Sequence, residues 1–239
     1  MDTTDPFAAH VPAPTAARPL LGLTVLVVED SRYACEAIRL LCLRSGARIR
    51  RADCLRSARR HLRVYRPAVV MIDLGLPDGN GIDLISELST AQPRVEVILG
   101  MSAEDNLEAN ALAAGADGFI AKPILSLAAF QSRVLALLPE DRRPKGPRVL
   151  DDAKVCPDPI AFRDDIAHIA DVLDDAEDSF TLDYIAQFII GVARSAEDTP
   201  LEKAAVKLAE KRALGESARS ETAVLAGMIQ DRLSQKIAI

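Results

Sequence analysis

The sequence predicts an α/β domain with a five-stranded, doubly wound parallel sheet, followed by a small all-α domain. In residues 21–138, short apolar runs rich in Val and Ile alternate with segments of helical period, a pattern typical of a parallel sheet covered by helices on both faces. A proline-rich break begins at residue 139, and only helical patterns follow it. The 239-residue chain is long enough for two such domains.

Four of the five predicted strands are apolar enough to be buried on both faces. The remaining strand, Ala47–Ala52, is the second in chain order and places Ile49 between Arg48 and Arg50. We therefore expect it at an edge of the sheet, where one side meets water. The buried strands are predicted at Leu23–Val28, Ala68–Ile72, Val95–Leu99 and Gly118–Ala121.

The C-terminal residues 158–239 are predicted to form an all-helical domain, joined by a linker at 139–157. Asp158 is expected to cap a helix that begins at Pro159, and Thr199–Glu202 matches a capping box at a later helix start. The second helix is apolar almost all round, which is typical of a bundle centre or a subunit interface. We expect helices near 159–174, 180–195, 200–213 and 219–236.

The N-terminal residues 1–20 hold four Pro and five Ala without periodicity, and we expect a disordered leader there. The acidic start differs from a basic secretory signal, and no apolar run approaches the ~20 residues of a membrane span. A cytoplasmic location without membrane contact is therefore expected. The four cysteines lack the spacing of a zinc site or a disulfide framework.

Charge is distributed unevenly along the chain. Residues 1–150 carry 19 Lys and Arg against 17 Asp and Glu, whereas residues 151–239 carry 10 against 18. The acidic second half is a poor match for nucleic acid phosphates. Within the first half, residues 44–66 hold nine arginines and one Asp. This arginine-rich segment is either a solvated edge or a docking surface for an acidic partner, which could be the chain's own C-terminal half.

Polar residues follow the predicted strands at the ends where α/β sheets place their sites. Three carboxylates, one hydroxyl and one ammonium would converge there. Clustered carboxylates repel one another unless a cation neutralises them, and oxygen ligands suit Mg²⁺. A Lys and a hydroxyl beside such a cluster suit an incoming phosphoryl group. The residues are Glu29, Asp30, Asp73, Ser102 and Lys122.

Four sequence blocks resemble the signature blocks of the bacterial two-component response-regulator receiver domain. They are VVEDS at 27–31, IDLGLPDGNG at 72–81, MSA at 101–103 and GADGFIAKP at 115–123. The resemblance covers roughly residues 22–138. It implies the flavodoxin-like strand order 2-1-3-4-5, which agrees with a polar second strand at the edge.

The resemblance implies that Asp73 accepts a phosphoryl group from a histidine kinase or a phosphotransfer protein. Glu29, Asp30 and Asp73 would hold Mg²⁺, with the backbone carbonyl of Gly75 as a further ligand. The residue at 75 is smaller than in many relatives, which opens the site to attacking water. The chain would then be a phospho-accepting signalling protein and not an enzyme beyond its own phosphoryl transfer and dephosphorylation.

The same resemblance implies roles for the residues after the fourth and fifth strands. Lys122 would pair with Asp73 and then with the phosphate, and Ser102 and the N–H of Ala103 would bind phosphate oxygens. Phe119 would be the aromatic switch and Pro123 a conformational residue. The reshaped surface would comprise the fourth helix, the fifth strand and the fifth helix.

The sequence leaves more than one function open for the helical domain. His168 lacks the surroundings of a phosphotransfer histidine, and no nucleophile–base pair or phosphate loop occurs in 151–239. We expect a protein-interaction or dimerisation module, with an unknown partner or a second copy. The alternative is a DNA-binding transcriptional regulator with an atypical C-terminal domain. A helix-turn-helix around Gly215 is disfavoured, because Lys211 and Glu221 occupy its small and apolar positions.

Overall fold

Five parallel strands form one sheet in the computed structural model, which describes residues 12–147, 151, 153–174 and 179–235. The strands are β1 (Thr24–Val28), β2 (Arg48–Ala52), β3 (Val69–Asp73), β4 (Val97–Ser102) and β5 (Gly118–Ala121). Their order across the sheet is β2-β1-β3-β4-β5, which confirms the predicted fold class. Strand β2 lies at an edge with Arg48 and Arg50 exposed, also as predicted.

Five helices follow the strands and cover both faces of the sheet. A short antiparallel pair, Gly75–Leu76 with Gly79–Asn80, comes between β3 and the third helix and was not predicted from the sequence. The helices are α1 (Arg32–Ser45), α2 (Leu55–Val64), α3 (Gly81–Thr90), α4 (Glu108–Ala113) and α5 (Leu127–Leu137).

Helix α1 has a clear start and a clear end, and its start lies at the site described below. Ser31 is the N-cap, and its hydroxyl accepts a hydrogen bond from the amide of Ala34 at 2.9 Å. Gly46 ends the helix with a φ of +84°, a left-handed conformation that favours glycine.

The C-terminal helices lie close to their predicted positions. Residue 236, at the end of the predicted fourth helix, falls outside the described residues. The capping prediction at Thr199 was wrong: Asp198 is the N-cap, accepting from the amide of Leu201, and Thr199 is already in the helix. Asp165 and Ser195 are buried polar residues in this domain. The helices are α6 (Pro159–Asp174), α7 (Ser179–Ser195), α8 (Thr199–Ala213) and α9 (Arg219–Ser234).

Helix α7 is the centre of the helical domain. Ile185, Ile189 and Ala193 are fully buried in a core shared with α6, α8 and α9. Because another part of α7 faces the α/β domain, its all-round apolar character serves two contacts within one chain. None of the helices in the described ranges has the length and apolarity needed to cross a membrane.

Segments predicted as leader and linker contribute to the core of the α/β domain. Leu20 is fully buried there, and its amide donates to the carbonyl of Ser45 at 2.9 Å. Val155 is also buried in this core, and its amide donates to the carbonyl of Leu125. Residues 1–11 of the predicted leader and residues 148–150 and 152 of the predicted linker lie outside the described residues.

Candidate functional site

The carboxyl ends of β1, β3 and β5 bring an ammonium group between two buried carboxylates. Lys122 Nζ lies 2.9 Å from Asp73 Oδ1 and 2.7 Å from Glu29 Oε2. Glu29 is fully buried and Asp73 is 6% exposed. The parallel register explains the convergence, because Asp73 is paired with Met101 and Ser102 with Ala121 at the same edge of the sheet.

Three carboxylates share this edge with a single ammonium. Glu29, Asp30 and Asp73 can each place one oxygen within 4.8 Å of the others. Burial is the largest cause that raises the pKa of Asp73, to about 7, with Glu29 adding to it and Lys122 opposing it. Burial also raises the pKa of Asp30, followed by the charges of Glu29 and Asp73. The cluster thus lacks positive charge and fits a divalent cation with oxygen ligands.

The Lys122 ammonium is held in its charged form by its partners. Burial alone would lower its pKa, but the charges of Asp73 and Glu29 outweigh burial and raise it. A cavity of about 200 Å³ opens beside these groups. The buried ammonium can neutralise an incoming anion, and the acidic cluster can hold a metal ion beside it. The cavity provides room for both.

The remaining predicted residues surround this cavity or lie behind it. Ser102, Ala103 and Gly75 line it. The hydroxyl oxygen of Ser102 accepts from the amide of Glu104 at 3.1 Å. Phe119 is buried, and its ring lies over Gly100, whereas Pro123 is exposed next to Lys122.

The C-terminal domain reaches this site through Tyr184, a residue the sequence analysis missed. The Tyr184 hydroxyl donates to Oδ2 of Asp30 at 2.6 Å. Burial and the neighbouring Asp30 charge raise the pKa of Tyr184, so the hydroxyl keeps its proton. A helix of the second domain thereby touches one of the three clustered carboxylates directly.

A second missed residue, Asp165 on α6, binds the start of α1. Its carboxylate accepts from the Ser31 hydroxyl at 2.7 Å, the Arg32 amide at 2.8 Å and the Tyr33 amide at 3.0 Å. Amides in the first turn of a helix have no acceptor within the helix, so a negative group such as the Asp165 carboxylate is favoured there. Asp165 is 2% exposed, so this contact is a buried attachment between the two domains.

The loop after β4 also packs against the helical domain. Ala103 contacts the core of the helical bundle, and Arg194 on α7 donates to the carbonyl of Ala103. Helix α7 contributes Gln187, Phe188 and Gly191, among others, to the lining of the cavity. The predicted phosphate-binding loop and the predicted metal site are therefore both in contact with one helix.

The arginine-rich segment 44–66 contributes little to this contact. Within the described parts of the chain, the ion pair between the two domains joins Arg32 to Asp164. Arg51 instead donates to the carbonyls of Glu29 and Asp30, on the edge of the site. The contacts between the two domains described above therefore involve residues 30–33 and 103, which lie outside segment 44–66.

Comparison with known proteins agrees with this geometry. Residues 25–134 match the family model of the response regulator receiver domain, and this segment is a receiver domain. The chain is 32% identical over 99 residues to the KDP operon transcriptional regulatory protein KdpE of Escherichia coli, covering 41% of this chain and 44% of that protein. It is 35% identical over 118 residues to the probable transcriptional regulatory protein TcrX of Mycobacterium tuberculosis, covering 48% and 50%.

The chain thus spans about half the length of the curated relatives it matches. Solved structures also match it. A putative response regulator from Chloroflexus aurantiacus has a TM-score of 0.46 at 23% identity, covering 48% of this chain and 96% of that one. The response regulator TrrA from Thermotoga maritima has a TM-score of 0.44 at 19% identity, covering 48% and 99%. The fold assignment rests on the strand order and register described above.

Proposed function

We propose that this protein is a two-component response regulator whose Asp73 accepts a phosphoryl group in a Mg²⁺-dependent reaction. The observation that carries the proposal is a buried Asp73 carboxylate beside Lys122, next to two further carboxylates and an open cavity. The donor would be a sensor histidine kinase or a histidine phosphotransfer protein, as expected for the receiver family.

In the proposed reaction an oxygen of Asp73 attacks phosphorus. A P–O bond to Asp73 forms, the P–N bond of the donor phosphohistidine breaks, and the imidazole nitrogen leaves with the bonding electrons. Lys122 neutralises charge on the transferred group, and the Ser102 hydroxyl and the Ala103 amide bind its oxygens. Glu29, Asp30 and Asp73 would hold Mg²⁺, with the Gly75 carbonyl as a further ligand, and the ion would supply charge neutralisation.

The helical domain is the proposed output. Its helix α7 contacts the carboxylate Asp30 and the loop residue Ala103, and both residues would gain a new partner if Asp30 bound Mg²⁺ and the Ala103 amide bound a phosphoryl oxygen. Phosphorylation would therefore alter the docking of α6 and α7 and expose a protein-interaction or dimerisation surface. The chain's own chemistry would be limited to self-catalysed phosphoryl transfer and hydrolysis.

The alternative output is DNA binding, which the names of the matched transcriptional regulators favour. The excess of eight negative charges in residues 151–239 opposes it. Binding of the phosphorylated full chain to random-sequence DNA at moderate salt separates the two outputs: retention of DNA supports a transcriptional regulator, and its absence supports a protein-interaction module.

Labelling of the full chain with radioactive acetyl phosphate tests the phospho-acceptor assignment. We expect Mg²⁺-dependent incorporation of label in wild type, loss of label with EDTA and loss in Asp73→Asn. Asp83→Asn is the matched control, because Asp83 is exposed on α3 and lies outside the cluster. Undiminished labelling of Asp73→Asn would overturn the assignment.

A further inference from the structure

One face of α7 packs against the proposed phosphorylation site, and the residues that make the contacts follow one another at helical spacing. Tyr184 binds Asp30, and Arg194 binds the Ala103 carbonyl. Between them, a Cβ built on Gly191 would lie 3.9 Å from the Cβ of Ala103. Gln187 occupies the same face, three residues after Tyr184 and four before Gly191. Since positions three and four apart share a helix face, the contacts on either side of Gln187 fix its position over the site.

The side chains of Gln187 and Asp73 both lie close to the position that a side chain on residue 75 would occupy. A Cβ at residue 75 would lie 3.2 Å from Oε1 of Gln187 and 3.9 Å from Oδ2 of Asp73. Glycine at this position therefore leaves room for the carboxamide to stand beside the acceptor carboxylate. Gln187 lines the cavity together with Asp73, Ser102 and Lys122.

The surroundings of Gln187 admit water. Gln187 is exposed and lines the cavity, and the described structure gives its carboxamide neither an ion pair nor a hydrogen bond. A carboxamide offers an acceptor oxygen and two N–H donors. It can therefore hold a water molecule through its oxygen while an N–H donates to a phosphoryl oxygen, as glutamines do in other phosphoryl-transfer sites.

We propose that Gln187 is a catalytic residue for hydrolysis of the aspartyl phosphate, which places a phosphatase group in the chain's own helical domain. This inference rests on the proposed phosphorylation of Asp73. The water oxygen forms a bond to phosphorus, the bond between phosphorus and the Asp73 oxygen breaks, and Asp73 leaves as a carboxylate. The proton lost by water departs with inorganic phosphate, and the Gln187 carboxamide orients the water without exchanging a proton.

The lifetime of the phosphorylated full chain tests this proposal. Protein labelled with radioactive acetyl phosphate and Mg²⁺ is freed of donor, and loss of label is followed over time. We expect Gln187→Ala to lengthen the half-life at least about tenfold, the scale of losing a positioned reactant, with the melting temperature unchanged. Gln230→Ala, an exposed glutamine on α9, is the matched control and should decay like wild type.

Gly75→Ala provides a second readout that a purely structural role for Gln187 would not produce. Its Cβ would lie 3.2 Å from Oε1 of Gln187, so it should slow hydrolysis more in the presence of Gln187 than in a Gln187→Ala background, where only the narrower access of water remains. Strict additivity of the two effects on the hydrolysis rate would contradict the shared site.

The outcomes separate this inference from the proposed function. Wild-type protein that takes no label overturns both. Labelled wild type with a Gln187→Ala half-life within twofold of it, or shorter, overturns the role of Gln187 alone. A longer half-life in Gln187→Ala, with Gln230→Ala decaying like wild type, supports it.

Discussion

Tyr184 and Asp30 lie 154 positions apart in the sequence, and their side chains meet at 2.6 Å. This hydrogen bond joins the central helix of the C-terminal domain to a carboxylate of the receiver's acidic cluster. Asp165 adds a second buried contact at the start of α1. The helical domain is therefore attached to the elements that would bind metal and phosphate. Docking of this domain and binding of the metal would both involve the carboxylate of Asp30.

Replacing Tyr184 by Phe should loosen α7 from the receiver domain. The change removes one hydrogen bond to a charged group, which typically contributes about 1.5–3 kcal/mol. Native-state hydrogen exchange should show at least about tenfold faster exchange of α7 amides. Tyr65→Phe is the control, because the Tyr65 hydroxyl contacts His61 within the receiver domain, and it should leave α7 unchanged.

Two neighbouring aspartates on α6 should differ sharply in their effect on docking. Asp165→Ala leaves the Ser31 hydroxyl and the amides of Arg32 and Tyr33 without their acceptor, and the buried bond from Ser31 to a charged group alone typically contributes about 1.5–3 kcal/mol. Asp164→Ala breaks only the ion pair with Arg32, whose side chains are 44% and 61% exposed, and pairs of this kind contribute about 0–1 kcal/mol. Urea denaturation should rank Asp165→Ala well below Asp164→Ala; equal stabilities would show that the buried contact is absent in solution.

Gly81→Ala should disturb Asp73, the proposed phospho-acceptor, without touching a charged group. A Cβ on residue 81 would lie 2.0 Å from the carbonyl oxygen of Asp73, so the backbone that carries Asp73 must move. We expect strongly reduced acetyl-phosphate labelling together with a lower melting temperature. Gly227→Ala, where a Cβ meets nothing within 4 Å, should label like wild type.

The helical domain should lose stability on acidification through Asp198. The side-chain hydrogen bond from Arg232 is the main cause that lowers the pKa of Asp198, and the two side chains meet at 2.7 Å. Because the folded pKa is depressed, the stabilisation is present above the unfolded value of about 3.9 and is lost as pH falls through the folded value.

Asp198→Asn isolates this effect, since asparagine still caps a helix but carries no charge. Wild type should exceed the variant by about 1–2 kcal/mol in free energy of unfolding at pH 7, and the difference should shrink below pH 4. A difference that stays constant between pH 7 and pH 3 would contradict the ion pair.

The sheet and the bundle were predictable because their signals are local. The alternation of Ile49 with Arg48 and Arg50 identifies an edge strand without any tertiary information, and the strand order agrees. The cap at Asp198 was missed because Thr199 also suits a cap, and backbone conformation decides between adjacent candidates. The burial of Leu20 and Val155 was missed because each packs on the sheet core from a segment without periodicity.

The convergence of charged residues at one edge of the sheet was predictable for a similar reason. Strand ends at one edge of a parallel sheet must converge, so Glu29, Asp73 and Lys122 had to meet once the strands were assigned. Tyr184 and Asp165 could not be found in this way, because their contacts depend on how two domains dock. Polar residues at 184, 187 and 194 share one face of the largely apolar helix α7, and this spacing was the available signal of a polar contact.

Hydrogen exchange of the full chain with and without Mg²⁺ and beryllofluoride, a phosphoryl mimic, tests the coupling of phosphorylation to docking most directly. We predict altered exchange in α6, α7 and residues 31–33 of wild type, and no such change in Asp73→Asn. If the mimic altered exchange around residues 73–81 of wild type while residues 159–195 exchanged identically in both conditions, the helical domain would not respond to the site it covers, and the coupling would be contradicted.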